Sequence, residues 1–145
     1  MCIRDRVIST RKLDQSILSL RCRHHRRRRP RSAGEGVNNS KTNPTLHGEI
    51  VAINDYVARH GNQGWADGIL YTTGEPCPMC TSAIVWTGIG GVVYGSSITT
   101  LAEAGITQIM IRASAVRDAA PFYRGRIMGG VLRAEIDALF RNRRV

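Results

Sequence analysis

Between residues 44 and 61 the apolar positions Leu46, Ile50, Ile53 and Val57 recur at spacings of four, three and four. That is the repeat of one helix face, and it predicts a helix starting near Pro44 or Thr45 and stopped by Gly61. The period then changes. "GILYTT", a short apolar run bounded by Gly68 and Gly74, reads as a buried strand. "PCPMCTSAIVWTG" reads as a helix opened by proline and closed by Gly88, and "GVVYG", residues 91–95, as the next strand. Strand, helix and strand within 28 residues form a right-handed crossover, so the two strands are expected to be parallel neighbours. The fold class is α/β.

Beyond Ser96 the pattern weakens. "TTLAEAGI" suits a short helix, "QIMIRA" a strand or an extended segment, and "PFYRGRIMGG" an irregular connection. A second stripe, Leu132, Ile136, Leu139 and Phe140, predicts an amphipathic helix from Gly130 to about Arg143. Its last turn carries Arg141, Arg143 and Arg144, where the helix dipole favours cations. Before Gly36 the one candidate strand is "SILSL".

The formal net charge of +10 is not spread evenly. Residues 1–34 hold eleven Arg or Lys against two Asp, whereas residues 35–145 hold ten basic and nine acidic side chains. The reading is a basic tail, 1–34, disordered or not native to the domain, followed by a nearly neutral domain, 35–145. Such a body offers no broad cationic surface for nucleic acid; that role would fall to the arginine block at 26–29. No secretory pattern is present and no run approaches the roughly 18 apolar residues of a membrane span. The expected location is the cytoplasm, with no membrane partner.

Candidate chemistry lies in "TTGEPCPMC". Cysteines at 2, 22, 77 and 80 make no regular disulfide framework, which leaves metal binding or catalysis. Cys77 and Cys80, three apart in a first helical turn, share one side of the helix, and the positive end of the helix dipole favours their thiolates. His47 opens the other well-marked helix, so a sheet that delivers both helix starts to one edge brings three ligands together. Two thiolates and an imidazole suit zinc. With no fourth candidate ligand, the site reads as catalytic, with one position left for water, whose pKa such a metal lowers towards about 7. Glu49, two residues beyond His47 and not a ligand, is the candidate general acid/base.

"HGE" at 47–49 followed by "PCPMC" at 76–80 resembles the zinc-dependent nucleoside and nucleobase deaminases. "NPTLHGE", "EPCPMC", "VVYG" and "GGVLRAEIDALFRNRR" stand in the family's order from about residue 35 to the C-terminus. The chain looks most like bacterial guanine deaminases and tRNA adenosine deaminases, with Gly48 where alanine is usual. The resemblance implies a three-layer α-β-α, cytidine-deaminase-like fold with a mixed sheet. It implies Zn2+ on His47, Cys77 and Cys80, proton transfer by Glu49, and hydrolytic release of ammonia. It also places Asn38 and Trp86 against the substrate, and implies pairing into a homodimer across helix faces.

The family's N-terminal helix and two-strand hairpin are expected to be missing or replaced here, leaving the strand at 69–73 as an open edge unless "SILSL" covers it. Three functions stay open. The first is deamination of a small nucleobase or nucleoside, a purine being favoured by Trp86 and the neutral body. The second is deamination of adenosine in structured RNA, which would use the basic tail. The third is an inactive zinc-binding fragment lacking the hairpin.

Overall fold

The computed structural model describes residues 15–20 and 32–143. Strand β1 (Gln15–Leu20) and strand β2 (Ser32–Val37) come first, then helix α1 (Gly48–His60) and a single 3-10 turn, Trp65–Asp67. Strand β3 (Gly68–Gly74), helix α2 (Pro78–Thr87) and strand β4 (Gly91–Ser96) follow. Helices α3 (Ile98–Glu103) and α4 (Ala113–Asp118), strand β5 (Arg126–Met128) and helix α5 (Arg133–Arg141) complete the order.

The strands form one mixed sheet in the order β2-β1-β3-β4-β5. β3 and β4 are parallel, with Leu70 opposite Val92 and Tyr71 opposite Val93, as the crossover pattern requires. β1 runs antiparallel to β2 on one side and to β3 on the other. "SILSL" thus lies in the inner strand of a hairpin, and the open edge expected beside β3 is paired. The boundary expected at residue 34 falls inside β2, and β1 lies wholly before it. The arginine block at 26–29 lies outside the described residues.

Alternation along the strands sorts the layers. Leu70 and Val92 turn to one face and join Ala52 and Tyr56 of α1 and Ile84 and Val85 of α2 in the main core. On the opposite face Ile136 and Phe140 of α5 pack with Leu101 of α3. Gly95 of β4 admits Ile136, since a methyl there would strike that side chain. The sheet is therefore covered on both faces, the three-layer arrangement.

The stripe that located α1 is not its most buried face. Gly48, Glu49, Ala52 and Tyr56 are buried, while Val57 is 41% exposed. The cause lies in β2, whose Gly34 and Gly36 face the helix. A methyl on Gly34 would stand 2.7 Å from the Ala52 carbonyl oxygen, and one on Gly36 would run into the Gly48 carbonyl oxygen and the Ala52 nitrogen. Two glycines opposite an alanine let helix and strand approach backbone to backbone, and a glycine-rich strand shows no hydrophobic alternation.

Two further differences have separate causes. "QIMIRA" is not a strand because β5, within "PFYRGRIMGG", occupies the place beside β4, pairing Gly91 with Arg126. α4 went unpredicted because only Ala113 of its six residues is buried, too little for a stripe.

The glycine contact is testable. Gly36→Ala should destabilise the protein by about 2 kcal/mol or more through overpacking, whereas Glu35→Ala, exposed on the same strand, should stay within about 0.5 kcal/mol. Urea denaturation of both variants decides it; equal stabilities would mean that the helix does not rest on this strand.

Candidate active site

His47 and Cys77 hold the same place in two helices. Each is the residue before the first helical position, with extended backbone (φ −67°, ψ 159° and φ −63°, ψ 168°), and neither side chain caps its helix. That position ordinarily lends its side chain to the free amides of the first turn. Here both side chains face each other instead. Pro78 follows Cys77 at the start of α2, where a missing amide hydrogen costs no hydrogen bond. Cys80, one turn in, is fully buried.

Cys77 Sγ stands 3.5 Å from His47 Nδ1, and the ligand atoms of His47, Cys77 and Cys80 all lie within 4.8 Å of one another. A tetrahedral zinc with bonds of about 2.3 Å to sulfur and 2.0–2.1 Å to nitrogen sets those two donors about 3.6 Å apart. The Cys77–His47 spacing therefore suits zinc. Among the described residues no fourth histidine, cysteine or carboxylate joins the cluster. His60, at the other end of α1, sets its Nε2 3.0 Å from the Ala33 carbonyl oxygen.

The cluster's electrostatics divide its two thiols. The Cys80 thiol donates to Cys77 and holds it down to about 5; the backbone amides of Cys80 and Met79 and the nearby His47 add to this, while partial burial opposes it. Cys80 is pushed up, first by that shared hydrogen bond and then by burial. One thiolate is thus already formed, and metal binding has one further proton to displace.

Glu49 lies beside this cluster, 8% exposed. Burial pushes its carboxyl above the ordinary range, and hydrogen bonds from its own backbone and from Cys80 offset only part of this. Thr72 of β3 donates from Oγ1 to Glu49 Oε1 at 3.2 Å and orients it. Sequence reasoning missed Thr72; its place in a strand flanking the cysteine helix was the available signal.

Glu49, His47 and Cys77 open into a cleft of about 530 Å³, walled by residues 38–41, the end of β3, residues 106–108, Leu101, Phe140 and Arg143. Asn38 lies in this wall, its Oδ1 accepting the Ser40 amide at 2.9 Å, which leaves the amide nitrogen to donate. Trp86 does not line it. It is 78% exposed and packs on Phe122 with ring centroids 5.2 Å apart. Six residues beyond Cys80 along α2 is about 9 Å of helix rise, so Trp86 is carried away from the cleft of its own chain. The resemblance placed Trp86 against the substrate; in this chain it stands outside the lining of the cleft.

Comparison with known proteins follows from this geometry. Residues 26–96 match the cytidine and deoxycytidylate deaminase zinc-binding region. The guanine deaminase of Bacillus subtilis is 43% identical over 79 residues, 53% of this chain and 51% of that protein. The tRNA-specific adenosine deaminase of Streptococcus pyogenes is 38% identical over 64 residues, 44% of this chain and 40% of that one. The solved guanine deaminase from Nitrosomonas europaea superposes with a TM-score of 0.70 at 21% identity, covering 88% of this chain and 70% of that one, and shares the fold. The chain spans about half the length, or less, of these two curated relatives.

A carboxyl held above its ordinary value keeps a proton when folded that the unfolded chain has released. Its contribution to metal-free stability therefore falls as pH rises from about 4.3. Glu49→Gln should raise the melting temperature of the metal-free protein at pH 8 by a few degrees, with the gain shrinking towards pH 4. Cys77, depressed, works the other way in both proteins. Calorimetry across this range checks it; a lower melting temperature at pH 8 would mean that the carboxylate is better satisfied than its burial implies.

Proposed function

We propose, from the match of residues 26–96 to the cytidine and deoxycytidylate deaminase zinc-binding region, that this chain is a zinc-dependent hydrolase that removes the exocyclic amine of a purine base or nucleoside as ammonia. The observation that carries the reading is the triangle of His47, Cys77 and Cys80 with Glu49 beside it, all but Cys80 opening into one cleft. Closed structural zinc sites use four protein ligands; this one offers three. The 43% match to a guanine deaminase supports the purine.

Zinc held by His47, Cys77 and Cys80 would supply a Lewis acid that acidifies water and polarises the carbon under attack. The remaining work belongs to the chain. Glu49, buried and held by Thr72, accepts a proton from the attacking water and passes it to the ring nitrogen, then takes the remaining proton of the hydroxyl added to the carbon and delivers it to the amine, which departs as ammonia, a transfer worth about 10²- to 10⁴-fold. Its proton affinity, raised by burial, suits a group that must both take and return a proton. Asn38, donating from the cleft wall, fixes the ring against an acceptor.

A second reading has its own support. The match to a tRNA-specific adenosine deaminase and the inclusion of residues 26–29 in the family segment fit deamination of structured RNA. We further propose a homodimer, since Trp86 and Phe122, 78% and 55% exposed, form an aromatic pair on the surface beside α2. Among the described residues no helix is long and apolar enough to cross a membrane. Thiolate ligands need a reducing compartment, which supports the cytoplasm.

Ammonia release from guanine, guanosine, adenosine, cytidine and an anticodon stem-loop separates these readings. The zinc-loaded protein should act on a free purine at a rate that changes little with salt. Activity on the stem-loop alone, falling steeply with salt, would favour RNA, and release from none would overturn the enzyme reading. Glu49→Gln should keep zinc and lose at least about 10²-fold in rate. Cys80→Ser should lose metal and thermal stability together.

A further inference from the structure

The C-terminal helix is held firmly at the cleft. Ile136 and Phe140 are 1% and 2% exposed, and Asp137 accepts from Ser96 Oγ at 2.5 Å and from Arg133 Nε at 3.4 Å. Arg143, two residues beyond the end of α5, joins Phe140 in the cleft wall. Its Nε is the one buried polar side-chain atom among the described residues that has no hydrogen-bond partner.

A buried donor left unmade is costly, and more so on a charged group. Glu49 and Glu75, the carboxylates of the same cleft, are already engaged, by Thr72 and by Arg112 respectively. Among the described residues nothing therefore answers Arg143 Nε. A guanidinium presents its N–H donors in a planar fork that matches two neighbouring acceptors.

We propose that Arg143 is a specificity-determining residue of this cleft, its guanidinium taking a pair of acceptor atoms on the ligand away from the amine that leaves. The inference rests on the purine reading above. Two sources carry such a pair: O6 and N7 of a 6-oxopurine, or the oxygens of a phosphate. Adenine sets an amine donor beside N7 and meets the fork poorly. Lys41, in the same wall, would reinforce a phosphate but adds nothing to the base edge.

The test is binding, separated from turnover. In the full zinc-loaded chain carrying Glu49→Gln, dissociation constants for hypoxanthine, adenine and inosine monophosphate are measured by calorimetry. Each is repeated with Arg143→Gln, with Arg143→Lys and with Arg141→Gln, a control on an exposed side chain that reaches towards Glu103. If the base edge is held, Arg143→Gln weakens hypoxanthine at least about tenfold and leaves adenine within about twofold, and lysine does not rescue. If phosphate is held, only the monophosphate weakens, and lysine restores most of it.

Zinc content and melting temperature should match the parent throughout; should Arg143→Gln unfold, Arg143→Lys alone still separates the two sources. Equal losses for hypoxanthine and adenine would reduce Arg143 to a wall and overturn the proposal. So would changes below about twofold for every ligand, or no binding by the parent. A chain that binds hypoxanthine through Arg143 yet releases no ammonia from guanine would refute the catalytic reading and leave this one standing.

Discussion

The carboxylate of Glu75, 1% exposed, sits between the last residue of β3 and the proline that opens the cysteine loop, and three donors from elsewhere in the chain converge on it. Ile98 N–H, from the start of α3, donates to Oε2 at 2.9 Å. Ala113 N–H, from the start of α4, and Arg112 Nε donate to Oε1 at 3.0 and 2.8 Å. The Glu75 amide in turn donates to the Ser96 carbonyl oxygen at 2.7 Å. One side chain thereby fixes the loop that presents Cys77, the first turns of two helices and the C-terminal end of the strap 104–112. Removing it would strand three donors, a larger loss than the pairing itself is worth. Cys77 and the part of the cleft wall that follows α3 take their places from elements that meet at this point.

Sequence periodicity located what depends on repetition. β3, α2 and β4 each present a short apolar run between glycines, and their bounds differ from the expectation by a residue or two. The ligand triad was readable because metal chemistry restricts residue type as well as spacing. What escaped were features that periodicity does not encode. The strand at 32–37 works through the absence of side chains at Gly34 and Gly36, so it carries no apolar alternation. β5 is three residues long, with an exposed-intermediate-exposed burial pattern. Glu75 was in view inside the cysteine motif, yet an acidic residue says nothing by itself about which amides will reach it. Trp86 was assigned by resemblance, and helix rise alone carries it out of the cleft.

The site also sets function against stability. Two helix starts forgo the side-chain caps worth about 1 kcal/mol each so that His47 and Cys77 can turn to a shared ion. Glu49 is buried where its charge is poorly solvated. Metal binding would offset both costs together, because His47 and Cys77 would hold one ion between them. Small residues around the site permit this crowding: Gly48 follows His47, and Ala52 lies one turn further on.

The cleft draws on three stretches of chain that leave the ribosome at different times. His47, Glu49, Cys77 and Cys80 are all present once residue 80 has emerged, whereas Leu101, residues 106–108, Phe140 and Arg143 follow only with the last third of the sequence. Synthesis therefore supplies the metal ligands well before it supplies the far wall. The chamber therefore stays open to solvent on that side until α5, which carries Phe140 and leads into Arg143, has been made and has docked.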